Sequence, residues 1–153
     1  MSVTLNNIRT QLRAGAVGVT GGSLTLITGR CVLGIDVLTA NNTFLADLST
    51  SGPYLSIHQG ALTEDQDTLQ TSTRPRRYEI PCSLYFGWDR EAAFAGTTVE
   101  DLLEALRTQW LSGTGMSGVS APTSMLWDTP EMNVENVPGA GKYRLSVSMW
   151  GCG

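Results

Sequence analysis

The sequence predicts an α+β domain, a mostly antiparallel sheet with a long hairpin arm, packed against two helices. Three observations carry this. Residues 76–86 and 142–150 alternate apolar and polar side chains, the two-residue period of a strand with one face on a core. Residues 97–110 set apolar side chains at helical spacing behind a start signal, and a shorter stripe of the same kind opens the chain. Between the two central strands lies a polar stretch, acidic at one end and basic at the other, which is too long for an ordinary hairpin loop.

A chain of 153 residues suits one domain, 1–153, with enough length to bury a core unaided. Charged residues are only 16%, against about 25% in a typical domain. Surface of this kind is cheap to desolvate, which suits a subunit of an assembly, though a plain β-rich monomer has the same composition. The net charge of −4 speaks against a binder that works by neutralising phosphates, which needs a basic field. Cys31, Cys82 and Cys152 are odd in number and lack C-x-x-C spacing, so neither a disulfide framework nor a zinc site is expected, and a reducing compartment fits. The first residues lack the apolar core of a signal peptide, and no run reaches the roughly 18 apolar residues of a membrane span. A soluble protein made in the cytoplasm is the expectation.

In chain order, Leu5, Ile8 and Leu12 mark a short helix with Ser2 or Thr4 as N-cap, Arg9 and Arg13 toward its C-terminal end, and a stop near Gly15. Residues 14–22 are too Gly-rich to assign. Strands are expected at 24–27 and 30–38, with Gly34 marking a bulge or a close backbone approach. Residues 43–48 fit a helical turn or an edge strand equally well. The central pair is 54–62 and 76–86. In the second of these, Tyr78, Ile80, Cys82, Leu84 and Phe86 form the core row, while Arg77, Glu79, Pro81, Ser83 and Tyr85 face water or a partner. Pro81 donates no ladder hydrogen bond, so this strand should lie at a sheet edge or carry a bulge there.

The connection 63–75 begins with Glu64, Asp65 and Asp67 and ends with Arg74, Arg76 and Arg77. It reads either as a solvated loop or as an arm whose opposite charges meet a neighbouring subunit. Thr97 with Glu100, or Thr98 with Asp101, makes a capping box for the second helix. Val99, Leu102, Leu103, Leu106 and Trp110 then form the stripe that packs on the sheet, and Ser112-Gly113 ends it. Residues 112–124 read as a long surface crossing and 123–127 as a short strand. Residues 132–137, a turn at 138–141 and 142–150 make a C-terminal hairpin. Its last strand puts Tyr143, Leu145, Val147 and Met149 on one face and Arg144, Ser146, Ser148 and Trp150 on the other.

Few residues invite chemistry. His58 is the single histidine, beside core candidates, and no serine or cysteine stands in a nucleophile motif, so no catalytic residue is assigned. Cys82 belongs to an apolar row and reads as a buried thiol. Glu64, Asp65 and Asp67 lack the glycine and terminal glutamate of an EF-hand loop, so no metal site is assigned. Gly139-Ala-Gly-Lys142 lacks P-loop spacing and precedes a strand, so no cofactor site is assigned either.

The element order, together with PYLSIHQG (53–60), RRYEIPCSLYF (76–86), TTVEDLLEALRTQW (97–110) and YRLSVSMW (143–150), resembles the tail-terminator, or tail-completion, proteins of long-tailed phages and phage-derived particles. These segments make up about a quarter of the chain, and the stretch 15–48 is longer than in the family pattern. The resemblance implies a non-enzymatic structural protein of the virion neck. It would form a homo-oligomeric ring, hexameric in the family, that caps the tail tube and joins it to the head, with tail-tube and head-connector proteins as partners. It implies no membrane, no cofactor and no sequence-specific nucleic-acid binding, although such a ring's lumen can face DNA. Glu64, Asp65, Asp67, Arg74, Arg76 and Arg77 are the expected subunit-interface residues. Another head–tail connector, a tail-tube subunit, and a small-molecule-binding or enzymatic α+β domain are the alternatives.

Overall fold

The computed structural model describes residues 4–22, 24–34, 52–64, 75–87, 97–132, 134 and 139–152. Helix α1 spans Leu5–Ala16 and starts as expected, with Thr4 Oγ1 accepting from Asn7 N at 3.1 Å. Its arginines serve tertiary contacts rather than only the helix dipole. Arg9 donates to the Ile57 carbonyl (2.9 Å), and Arg13 donates to the carbonyls of Cys31 (2.6 Å) and Thr28 (3.0 Å). Two short strands, β1 (Thr20–Gly21) and β2 (Leu24–Thr25), form a hairpin of their own, where the sequence suggested one strand over 24–27.

The main sheet has seven strands in the described residues: β3 (Cys31–Leu33), β4 (Tyr54–Ile57), β5 (Ala61–Glu64), β6 (Pro75–Gly87), β7 (Ser124–Trp127), β8 (Glu131–Met132) and β9 (Ala140–Cys152). Its spine runs β3-β4-β6-β9-β7, with β5 also on β6 and β8 also on β9. Only β3 and β4 are parallel, so the mostly antiparallel α+β class holds. Of the strand expected at 30–38, residues 31–33 are observed and 35–38 lie outside the described residues, as does 43–48. Among the described residues a Cβ on Gly34 would meet nothing within 4 Å.

The strand with Pro81 is not at an edge. β6 is flanked by β4 and β5 on one side and β9 on the other. The bulge alternative is the one the fold uses, on the neighbouring strand. Ile57 pairs with Cys82 and Ala61 with Glu79, so the 54–64 segment holds one residue more than β6 opposite it. A strand residue's N–H and C=O point the same way. The Pro81 carbonyl accepts from His58 N at 2.9 Å, so the missing N–H faces this bulge, and the Pro81–Ser146 pairing with β9 needs none. The single strand expected over 54–62 is therefore split at 58–60. Gly60 permits the close crossing, since a Cβ there would lie 2.7 Å from Ile80 Cγ1 and 2.8 Å from the Glu79 carbonyl.

Helix α2 (Thr97–Ser112) and α1 cover one face of the sheet. Val99, Leu102, Leu103, Leu106 and Trp110 are all buried, in one cluster with Tyr78, Ile80, Cys82, Leu84, Phe86, Leu145, Val147 and Met149. The Trp110 indole N–H donates to the Leu12 carbonyl at 2.9 Å, joining the two helices inside the core. Gly113, at φ +73°, ends α2 in the left-handed region where glycine is favoured. The side chains of the expected capping box, Thr97 and Thr98, lie outside the described residues. At the far end of the sheet the Phe86 ring lies across Gly141, where any Cβ would collide with it, and packs on Tyr143 at 5.4 Å. No helix of the described residues is long and apolar enough to cross a membrane.

Candidate functional site

The alternation that placed one row of β6 on the core divides the sheet's second face into two zones. Toward the Pro75 end it is open. Arg77, Glu79 and Pro81 on β6, Ser146 and Trp150 on β9, and Leu126 on the edge strand β7 are exposed there. Register makes them one surface, because Leu126 pairs with Ser146 and Ser146 with Pro81, while Trp150 pairs with Arg77. Leu126 is 63% and Trp150 41% exposed, while Arg77 and Glu79 neutralise each other through a 2.9 Å ion pair. The result is a flat β surface with two large apolar side chains, serines and an internally balanced charge pair.

Toward the Gly87 end the same face is covered. Ser83 and Tyr85, which alternation assigned to water or a partner, are buried along with Ser56 and Lys142. Alternation along one strand says which side a residue points to and nothing about whether that side is covered farther on, which is why these two positions were misplaced. The Lys142 ammonium lies 5.3 Å from the centre of the Tyr85 ring, directly across the strand pair.

Between the two zones an open cavity of about 230 Å³ is lined by His58, Pro81, Cys82, Ser83, Lys142, Arg144 and Leu145. His58 Nε2 and Ser83 Oγ are 2.7 Å apart. Arg144 stands at the rim with its guanidinium 3.7 Å from the Glu131 carboxylate, both well exposed. Sequence reasoning missed this grouping. His58, Ser83 and Lys142 are brought together by the bulge and by β6–β9 register, neither of which has a motif, although the shared parity of Ser56 and His58 on one side and of Lys142 and Arg144 on the other was a usable signal.

A serine hydroxyl at 2.7 Å from an imidazole is also the geometry of an activated nucleophile. Such a serine normally sits on a turn that lifts its Oγ clear and leaves N–H groups free for an oxyanion. Ser83 is instead mid-strand, paired with Ser56 on one side and Arg144 on the other, and is 3% exposed. The pair suits a hydrogen bond that fixes the bulge. Burial pushes the Cys82 thiol well above its usual range and the Cys31 thiol up to about 11, with Arg9 and Arg13 respectively opposing, so both are neutral thiols at physiological pH. Among the described residues no group of three His, Cys, Asp or Glu is placed to hold a metal.

Of the expected interface residues, Asp65, Asp67 and Arg74 lie outside the described residues. Glu64 and Arg76 are cross-strand neighbours at the base of the arm, in the β5–β6 ladder. Arg77 is on the open face, paired with Glu79.

No family model matches the chain, and no curated protein matches it. Sixteen chains of solved structures match. One belongs to a structure described as the virion of a native gene transfer agent (GTA) particle, with 11% identity, a TM-score of 0.46, and coverage of 79% of this chain and 78% of that one. At that identity and score, the likeness bears on neither the fold class nor the function of this chain.

Proposed function

We propose that this chain is a non-catalytic structural subunit of a phage-like virion, and more narrowly a tail-terminator-like neck protein that forms a ring against the tail tube. One observation carries it: the open zone of the sheet, where Leu126 and Trp150 stand exposed beside a self-neutralised ion pair at the base of a charged arm. A face of this composition loses little on desolvation and gains from burying two large side chains. The segments quoted from the sequence supply the narrower neck role and the hexameric ring order, with tube and head-connector proteins as partners. The GTA structure is a virion by its description, at a similarity that adds no weight.

The test is the mass of the purified protein in solution, alone and mixed with a tube subunit from the same source. Wild type should exceed the subunit mass in at least one condition. The pair Leu126→Asp and Trp150→Ser should return it to the 16.4 kDa monomer while leaving it folded, because both side chains are exposed in the subunit. A wild type that stays monomeric in both conditions would remove the ring reading.

The arm gives a separate prediction. A head-to-tail ring sets two different surfaces against each other, so a segment acidic at one end and basic at the other can pair without repelling its own copies. Exposed pairs contribute about 0–1 kcal/mol each, so charge should orient the contact while apolar surface supplies most of the affinity. Reversing Arg74, Arg76 and Arg77 together to Glu should weaken assembly, more so at low salt, with the subunit still folded. Normal assembly of this variant at every salt concentration would reduce the arm to an ordinary loop.

A further inference from the structure

The outer strands of the main sheet, β3 and β7, lie at opposite ends of its strand order, and the helices follow them: α1 packs over β3 and β4, while α2 reaches β7. Charge is divided between these two edges. The first acidic residue of the chain is Asp36, so everything from α1 through β3 carries arginines and no carboxylate. Arg9 and Arg13 stand one turn apart on α1, close enough to repel each other. Their hydrogen bonds go to the neutral carbonyls of Ile57, Cys31 and Thr28, and neither makes an ion pair among the described residues. Arg9 Nε is buried with no hydrogen-bond partner. This edge therefore holds two guanidinium groups that are fixed in place and not neutralised. Ile27, next to the Thr28 carbonyl, and Leu33, two residues beyond Cys31, are exposed on the same edge.

The opposite edge is acidic. Glu100, Asp101 and Glu104 lie on the side of α2 away from its buried stripe and are exposed, and Arg107, three residues after Glu104, offsets one of the three charges. Asp128, exposed just past β7, adds a further carboxylate beside the exposed Leu126. We propose that the β3–α1 edge of one copy docks against the β7–α2 edge of the next, with the arginines of the first facing the carboxylates of the second. The occupant is a second copy because one chain carries both halves of the match, on opposite edges, and a head-to-tail contact needs two different surfaces. Apolar side chains stand on both edges, so burial supplies affinity while charge sets direction and keeps like edges apart. The proposal rests on the ring reading and names the two surfaces that such a ring would join.

Sedimentation velocity, in a condition where wild type exceeds the subunit mass, tests it. Asp101→Lys with Glu104→Lys changes two exposed side chains, so the subunit should stay folded by circular dichroism. The concentration for half-assembly should rise by roughly tenfold at low salt, and the difference should shrink at about 1 M salt, where charge is screened within ~3 Å. Arg9→Glu with Arg13→Glu should weaken assembly likewise. An equal mixture of the two variants should recover it, because subunits with two basic edges then alternate with subunits with two acidic ones. Arg9 and Arg13 also hold backbone carbonyls, so if the arginine variant does not fold, the α2 variant decides alone. An α2 variant that assembles as wild type does at every salt concentration would overturn the proposal and leave the ring reading intact. Normal self-assembly with loss of tube-subunit binding would also overturn it, since the acidic face would then belong to the tube contact. Wild type at subunit mass throughout would instead remove the ring reading, and this docking with it.

Discussion

Leu103→Ala should lower the unfolding free energy by roughly 2–5 kcal/mol, read as a fall in the urea midpoint with an unchanged slope. Leu103 is fully buried, at the centre of the α2 stripe, within the cluster that joins both helices to β6 and β9. Removing its branched end takes away apolar contact and leaves a space within that cluster, whose β6 members are held in place by ladders on both sides of the strand. Leu126→Ala is the matching control. It deletes the same atoms from a side chain 63% exposed on the opposite face, and should change stability by no more than about 0.5 kcal/mol. A small effect at Leu103, equal to that at Leu126, would mean that the helix does not seat on the sheet as described.

Gly21→Ala should be at least as damaging, at about 3 kcal/mol or more, or should prevent folding. A Cβ on Gly21 would collide with the Leu102 amide nitrogen and Cα and the Asp101 carbonyl carbon of α2. Overpacking typically costs ~1–3 kcal/mol when a neighbouring side chain can swing away. Here the obstacle is helix backbone, so either β1 or α2 must move as a whole. Gly18→Ala is the informative comparison, since its Cβ would meet nothing within 4 Å and only the φ of +90° opposes it. Thermal unfolding of the two variants should rank Gly21→Ala as the worse. If the two were alike, the contact between β1 and α2 would be looser than the structure shows.

These two positions also mark how far the sequence could be read. The α2 stripe, the β6 core row from Tyr78 to Phe86 and the two faces of β9 were legible because each is a period within one element, and period follows from local backbone geometry. Gly21 was not legible, because its reason is a helix eighty residues away. The bulge was half legible: Pro81 announced an irregularity, but whether an edge or a neighbour absorbs it depends on sheet order, which no local signal carries. The burial of Ser83, Tyr85 and Lys142 escaped for the same reason, since periodicity cannot report cover on the second face. The His58–Ser83 pair needed both bulge and register before the two residues could be seen as neighbours.

The long β6–β9 pairing has a consequence for the order in which the molecule can form. Pro75 faces Cys152 and Gly87 faces Ala140, so the two central strands meet across all of α2 and the crossing that follows it. During synthesis β6 emerges with one side already able to take up β4 and β5, while its other side waits, unpaired, until nearly the whole described chain has been made. Closing so large a loop before any ladder bond rewards it slows folding, which places refolding in the millisecond-to-second range rather than the microsecond range of local topologies. A stopped-flow refolding trace checks this. For that interval the nascent chain presents a thirteen-residue strand with one raw edge, a template on which another chain could pair. The proline that dictates the bulge gives that edge no protection, because its missing N–H points the other way, toward His58, so the edge stays open to pairing until β9 arrives.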